Sequence, residues 1–128
     1  MKTVLIIEDN LTHMALAATL LKKSGYAVLK ASDAETGIRL AREQHPDLIL
    51  MDIHLPGMDG LTAIFQLKSD PATQHIPVIL QTSFFLEHPE QEVRAAGAAG
   101  FIAKPFHYKE YLATIEAILH PENQPHKQ

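Results

Sequence analysis

Two short apolar runs end in acid: Val4-Leu5-Ile6-Ile7 leads into Glu8-Asp9, and Leu48-Ile49-Leu50-Met51 leads into Asp52. Carboxylates beside buried strands lose hydration, so they are found there when a partner, a metal or a reaction compensates. Three carboxylates brought to one sheet edge repel one another, and their pKa values rise unless a cation binds between them. A hard divalent ion that takes oxygen ligands and keeps waters, Mg2+ above all, suits one or two carboxylates with a carbonyl. Two further runs add donors: Leu80-Gln81 is followed by Thr82-Ser83, and Phe101-Ile102-Ala103 by Lys104-Pro105. A lone ammonium and a hydroxyl beside a cation site face an anion. A phosphoryl group fits that description, because positioning and charge neutralisation are most of what phosphoryl transfer requires.

The elements that must position these groups are legible as an alternation. Apolar runs of strand length occur at Val4 to Ile7, Ala27 to Leu29, Leu48 to Met51, Val78 to Leu80 and Phe101 to Ala103, which predicts five strands buried on both faces. Helical spacing fills the intervals: Leu11, Met14, Ala18 and Leu21; Ala34, Gly37, Ile38 and Ala41; Leu61, Ile64, Phe65 and Lys68; and, after the last strand, Tyr108, Tyr111, Leu112, Ile115 and Ile118. A fourth helix between about Leu86 and Ala96 has the faintest pattern, with Pro89 at its start. Strands alternating with helices predict an α/β fold around a parallel sheet, with ligands bound beyond the carboxyl ends of the strands. Punctuation agrees: Ser24-Gly25, His45-Pro46, Ser69-Asp70-Pro71 and Gly97 close helices, and Ser32-Asp33 caps one. The second strand is followed only by Lys30 and Ser32, as expected at a sheet edge.

The chain has 128 residues, 46% of them hydrophobic, which suits one compact domain able to bury well over half of its unfolded surface. The net charge is −4 and the eleven Lys and Arg are scattered, so no basic footprint for nucleic acid exists. Cysteine is absent, which excludes disulfide and thiolate chemistry, and no apolar stretch approaches the ~18 residues of a membrane span. The N-terminus lacks the pattern of a signal peptide, so the cytoplasm is the expected compartment. From His120 to Gln128 there are two prolines and no large apolar residue, which predicts a domain over 1–119 followed by a flexible tail over 120–128.

In order and spacing, these residues closely resemble the receiver domain of bacterial two-component response regulators. The matching pieces are the acidic pair Glu8-Asp9, Asp52 with Pro56 and Gly60 four and eight positions on, Thr82 after the fourth run, and Lys104-Pro105-Phe106 after the fifth. The resemblance implies a doubly wound, flavodoxin-like sheet of five parallel strands in the order 2-1-3-4-5, flanked by five helices. It implies that Asp52 is the phosphoacceptor, that Asp9, Asp52 and the backbone carbonyl of His54 bind Mg2+, and that Glu8 acts through a water. It also implies that Thr82 hydrogen-bonds the phosphoryl oxygens, that Lys104 pairs with them, and that the Lys104-Pro105 bond is cis. Phe101 matches the switch aromatic that turns inward when Thr82 moves toward the phosphate. The implied partners are a histidine kinase or phosphotransfer protein and a downstream effector protein. Neither nucleic acid nor membrane is expected as a partner, and a monomer or weak dimer is expected. The resemblance implies catalysis of the protein's own phosphorylation and of the slow hydrolysis of its acyl phosphate, with no independent substrate turnover expected.

Simpler readings stand beside these. Asp9-Asn10 alone reads as a helix N-cap, and Asn10 keeps that role even when Asp9 is a ligand. Thr82-Ser83 alone would merely end a strand, and Lys104-Pro105 would be a turn lysine before a proline. The eight histidines show no pair at metal-ligand spacing and read as solvated, with His54 placed beside the phosphorylation site. Phe84 packs under the fourth helix or joins the switch loop, and Phe85 is expected at a partner surface. Ser83 stands where the family commonly has a small alanine, and Phe101 lacks the hydroxyl of a tyrosine. Two rival functions remain: a receiver-like adaptor that is never phosphorylated, and a phosphatase or nucleotide-binding enzyme. The latter lacks a Gly-rich phosphate loop, since Glu8-Asp9-Asn10-Leu11 contains no glycine.

Overall fold

The computed structural model describes residues 1–53, 55–82, 94–103 and 108–121, with the backbone alone at Thr82 and Ala103. Five strands, β1 (Thr3–Ile7), β2 (Ala27–Ala31), β3 (Leu48–Asp52), β4 (Val78–Thr82) and β5 (Gly100–Ala103), form one parallel sheet in the order β2-β1-β3-β4-β5. Between them lie α1 (Leu11–Lys23), α2 (Ala34–Gln44) and α3 (Gly60–Ser69), and a C-terminal helix (Tyr108–Leu119) follows β5. The alternation predicts the parallel α/β sheet, and the receiver resemblance its doubly wound order, both of which are found. Most of the expected fourth helix lies outside the described residues; residues 94–96 are helical and run into Gly97 at φ +97°.

Burial on both faces explains the continuous apolar runs. Leu5, Ile7, Ile49, Met51, Val78 and Leu80 point to one side, where Ala34, Ile38 and Ala41 of α2 and Ala63, Ile64 and Leu67 of α3 cover them. Val4, Ile6, Leu48, Leu50, Ile79 and Ile102 point to the other, against Met14, Ala17, Ala18 and Leu21 of α1 and Tyr111, Ile115 and Leu119 of the C-terminal helix. Each fully buried aliphatic side chain contributes about 1.5–3 kcal/mol, so these two layers drive assembly. β2 sits at the sheet edge, with Ala27, Val28 and Leu29 only partly buried and Lys30 exposed.

The helix ends follow from side-chain capping of orphan backbone groups. Asn10 accepts from His13 N–H at 3.0 Å, Asp33 from Thr36 N–H at 2.7 Å and Asp59 from Thr62 N–H at 2.8 Å. At the other ends, His45 adopts the left-handed conformation (φ 48°) after α2, and Gly25 (φ 93°) follows Ser24 after α1. Lys68 has a structural use: its ammonium donates to the carbonyls of Gln74 (3.1 Å) and Ile76 (2.7 Å), fastening the turn that feeds β4. Beyond the C-terminal helix, His120 N–H donates to Glu116 O at 2.7 Å, and its ring stacks on Tyr26 with centroids 6.4 Å apart. Residues 122–128 lie outside the described part.

Candidate functional site

The topology puts the acids where ligands bind in such sheets. β1 and β3 are neighbours, yet the chain leaves β1 for β2 on one side and continues from β3 to β4 on the other. That reversal of strand order opens a crevice at the carboxyl ends of β1 and β3. Glu8 and Asp9 follow β1 directly, and Asp52 is the last residue of β3.

Strand parity decides which side each acid takes. Val4 and Ile6 pack toward α1, so Glu8 continues that row; Leu48 and Leu50 do the same, so Asp52 continues theirs. Glu8 is 3% exposed and Asp52 8%, while Asp9 is open to solvent. One carboxylate oxygen from each of the three lies within 4.8 Å of the others. Like charges at that spacing repel by roughly 3–4 kcal/mol per pair at an effective dielectric of about 20, which a divalent cation between them reverses. The donor set is all hard oxygen with one open side, and it therefore fits a Mg2+ ion that retains waters.

The surroundings hold the acids in place. Glu8 Oε2 accepts from Asn10 N–H at 3.2 Å, and the Glu8 N–H donates to Ala31 O at 3.0 Å, tying the end of β1 to β2. His13 Nδ1 lies 3.8 Å from Glu8 Oε1. Behind Asp52, Ile53 N–H donates to Gln81 O at 2.9 Å, and Gly60 N–H donates to Ile53 O at 2.8 Å. A Cβ on Gly60 would stand 2.7 Å from Ile53 Cα and 2.8 Å from Asp52 O, so only glycine lets α3 begin this close to the acid. Gly57 turns the loop at φ 80°.

The sequence-predicted donors are placed unequally. Thr82 closes β4 and pairs in register with Ala103 of β5, one residue beyond the pairing of Asp52 with Gln81. Phe101 is half-buried and packs against the apolar layer formed with α2 and α3. His54, Phe84, Phe85, Lys104, Pro105 and Phe106 lie outside the described residues.

With this geometry in hand, the kinship is direct: residues 4–116 match the response regulator receiver domain. The chain belongs to that family. It is 41% identical over 118 residues to the polar-differentiation response regulator DivK of Brucella ovis, covering 92% of this chain and 96% of that protein. Among solved structures, a chemotaxis response regulator of Vibrio cholerae superposes with a TM-score of 0.87 at 26% identity, over 93% of this chain and 99% of that one. The receiver domain of a sensor histidine kinase from Pseudomonas aeruginosa, solved with a magnesium ion coordinated in its active site cleft, gives 0.84 at 28% identity, over 92% of this chain and 97% of that one.

Within this receiver domain, two polar residues near the acids were not singled out by their chemistry. Gln81, 3% exposed, interrupts the apolar row of β4 beside Asp52, and Tyr111, fully buried, stands among the apolar positions of the C-terminal helix. Gln81 Nε2 donates to Tyr111 Oη at 3.4 Å. Burial pushes the Tyr111 phenol well above its ordinary pKa, the Gln81 donor opposes that, and the Glu8 charge adds to it. The available signal was an amide inside a strand that otherwise reads Val-Ile-Leu. Helical spacing placed Tyr111 on the buried stripe and was silent about its hydroxyl. His13 was likewise grouped with the solvated histidines, although one ring nitrogen faces Glu8.

Proposed function

We propose that this receiver domain works as a phosphorelay switch, in which a partner's phosphohistidine gives its phosphoryl group to Asp52 and the modified protein changes its affinity for a downstream effector. The observation that carries the reading is the buried Asp52 carboxylate grouped with Glu8 and Asp9 at the strand-order reversal. In the transfer, an Asp52 carboxylate oxygen attacks phosphorus, the P–N bond breaks, and its electron pair stays on the partner's imidazole nitrogen. In the slower reverse arm, water attacks phosphorus and the P–O bond breaks, restoring the carboxylate and releasing phosphate.

Asp9, Asp52 and the backbone carbonyl of His54 would hold Mg2+, with Glu8 acting through a water. Bound there, the ion neutralises charge on the transferring group. Lys104 pairs with the phosphoryl oxygens and the Thr82 hydroxyl donates to them. Phosphorylation adds nearly two negative charges and three acceptor oxygens at this edge. Thr82 moves toward that charge, and Phe101 turns further into the apolar layer it already touches. Driving such an equilibrium from 1:99 to 99:1 takes about 5.5 kcal/mol, which several charge-assisted contacts can supply.

The partners are a histidine kinase or phosphotransfer protein and an effector protein, met in the cytoplasm by a monomer or weak dimer. Residues 1–119 form the working domain and 120–128 a tail. The test is intact mass after incubation with Mg2+ and a small acyl phosphate. A gain of one phosphoryl group that Asp52→Asn abolishes supports the reading. No gain with any small donor would instead indicate an adaptor, and turnover of unrelated phosphate esters an enzyme.

A further inference from the structure

α3 carries an aromatic that the fold does not use. The helix buries Gly60, Ala63, Ile64 and Leu67 and leaves Phe65 70% exposed. Beside that ring lies a groove of about 440 Å3, walled by Arg42 of α2, Gln66 and Ser69 of α3, and Asp70 and Pro71 of the turn that follows. The groove is at the C-terminal end of α3, away from the end that abuts Asp52. Its walls are held in place within the chain itself: Asp70 accepts from Arg42 Nε at 2.6 Å and from Ala72 N–H at 2.9 Å, and Ser69 Oγ donates to Phe65 O at 2.7 Å. Among the described residues the Arg42 guanidinium is bonded through Nε, so its Nη groups are left to meet an entering ring or carboxylate. One exposed apolar residue is ordinary, whereas an aromatic knob beside a preformed groove is a docking geometry.

Charge selects the occupant. Two copies of a chain with net charge −4 repel in general. Around this groove the signs balance, with Arg39 paired to Glu43 at 3.6 Å and Arg42 to Asp70. A uniformly acidic or basic partner meets like charge over half of that surface. A second copy turned about a two-fold axis can set each arginine toward the other copy's acids. We propose that the α2–α3 face is a self-association surface, in which Phe65 of each copy enters the groove of a second copy of this chain. The contact is isologous, so it closes at a dimer. One aromatic knob per copy in a small patch makes that dimer weak, with a dissociation constant between about 10 μM and 1 mM. The proposal goes beyond the phosphoryl chemistry and does not depend on it.

The test is sedimentation of the full chain across that concentration range, with amide 1H–15N spectra at each end of it. Wild type, Phe65→Gln, Tyr108→Gln and Asp52→Asn are compared, and thermal unfolding verifies that each variant is folded. Tyr108→Gln removes a comparably exposed aromatic, 56%, from the C-terminal helix. In wild type the average mass rises from monomer toward dimer, and amides of residues 65–72 and 39–43 shift with the same midpoint. Tyr108→Gln and Asp52→Asn associate as wild type does, while Phe65→Gln stays monomeric and its spectrum ignores concentration. A wild type that remains monomeric throughout overturns the proposal and leaves the face to another protein or to solvent. Association that survives Phe65→Gln, is lost in Tyr108→Gln, or grows past the dimer also overturns it. Because Asp52→Asn is expected to associate, failure of phosphoryl transfer and failure of this face are read separately.

Discussion

The two faces of the sheet are built from the same strands and end differently. Toward α2 and α3 the rows are apolar through Ile7, Met51, Ile53 and Leu80, all at most 4% exposed, before Thr82 ends β4. Toward α1 and the C-terminal helix the rows begin as apolar, with Val4, Leu48 and Ile79, and finish as Glu8, Asp52 and Gln81, with Tyr111 opposite. Burial is equally deep on both faces. One face uses it for stability, and the other uses it to hold the carboxylates of Glu8 and Asp52 where water screens them weakly, which would strengthen their interaction with a cation.

Neighbouring residues of β4 give the largest contrast. Leu80→Ala opens a cavity in the apolar face and is expected to cost about 3 kcal/mol, read as the shift in the midpoint of denaturant unfolding. Gln81→Leu, on the opposite face, keeps the side-chain volume and should cost less, about 1 kcal/mol, because one long hydrogen bond is lost and no cavity opens. Equal losses would dissolve the distinction between the faces.

Glycines sharpen it at an intermediate scale. Gly60 abuts the backbone of Asp52 and Ile53, which cannot step aside, so Gly60→Ala is expected to cost about 3 kcal/mol by overpacking. The atoms nearest a Cβ on Gly37 all belong to the Ile7 side chain, Cδ1 and Cγ1 foremost, which can shift where backbone cannot, and alanine also gains up to about 1 kcal/mol of helix propensity there. Gly37→Ala should therefore cost less, about 1 kcal/mol net. Thermal unfolding of the two variants ranks them, and a larger loss at Gly37 would contradict the packing described for the site.

The smallest effect lies away from the site. The Ala72 N–H, followed by the Arg42 guanidinium at 2.6 Å, holds the Asp70 carboxyl below its ordinary pKa. A carboxyl lowered by folding stabilises above its unfolded pKa and loses that contribution as pH falls through the folded value. The stability advantage of wild type over Asp70→Asn should be present near neutrality, begin to fall at about pH 4 and vanish only once the pH is below the lowered folded value. An advantage independent of pH would show that the contact is steric.

Legibility in the sequence tracked the same contrast. Apolar runs declared all five strands, because a parallel sheet buried on both faces leaves no polar alternation. They were read short wherever a polar residue belonged to the strand, as with Asp52 and Thr82, or at the half-buried β2. The acids stood out because charge after such a run is rare. Strand order came through family resemblance, since periodicity says which segments are strands and is silent on which lie side by side. Gln81 and Tyr111 were hidden for a physical reason: a neutral amide and a phenol fit an apolar pattern, and only three dimensions bring them together.

The central claim is that the polar face exists to phosphorylate Asp52 with the help of a divalent cation. Intact mass of wild type and Asp52→Asn, each treated with an acyl phosphate in Mg2+ or in excess chelator, tests it most directly. A single phosphoryl gain confined to wild type with Mg2+ is the predicted result; a gain that persists in Asp52→Asn, or that ignores the chelator, would contradict the account.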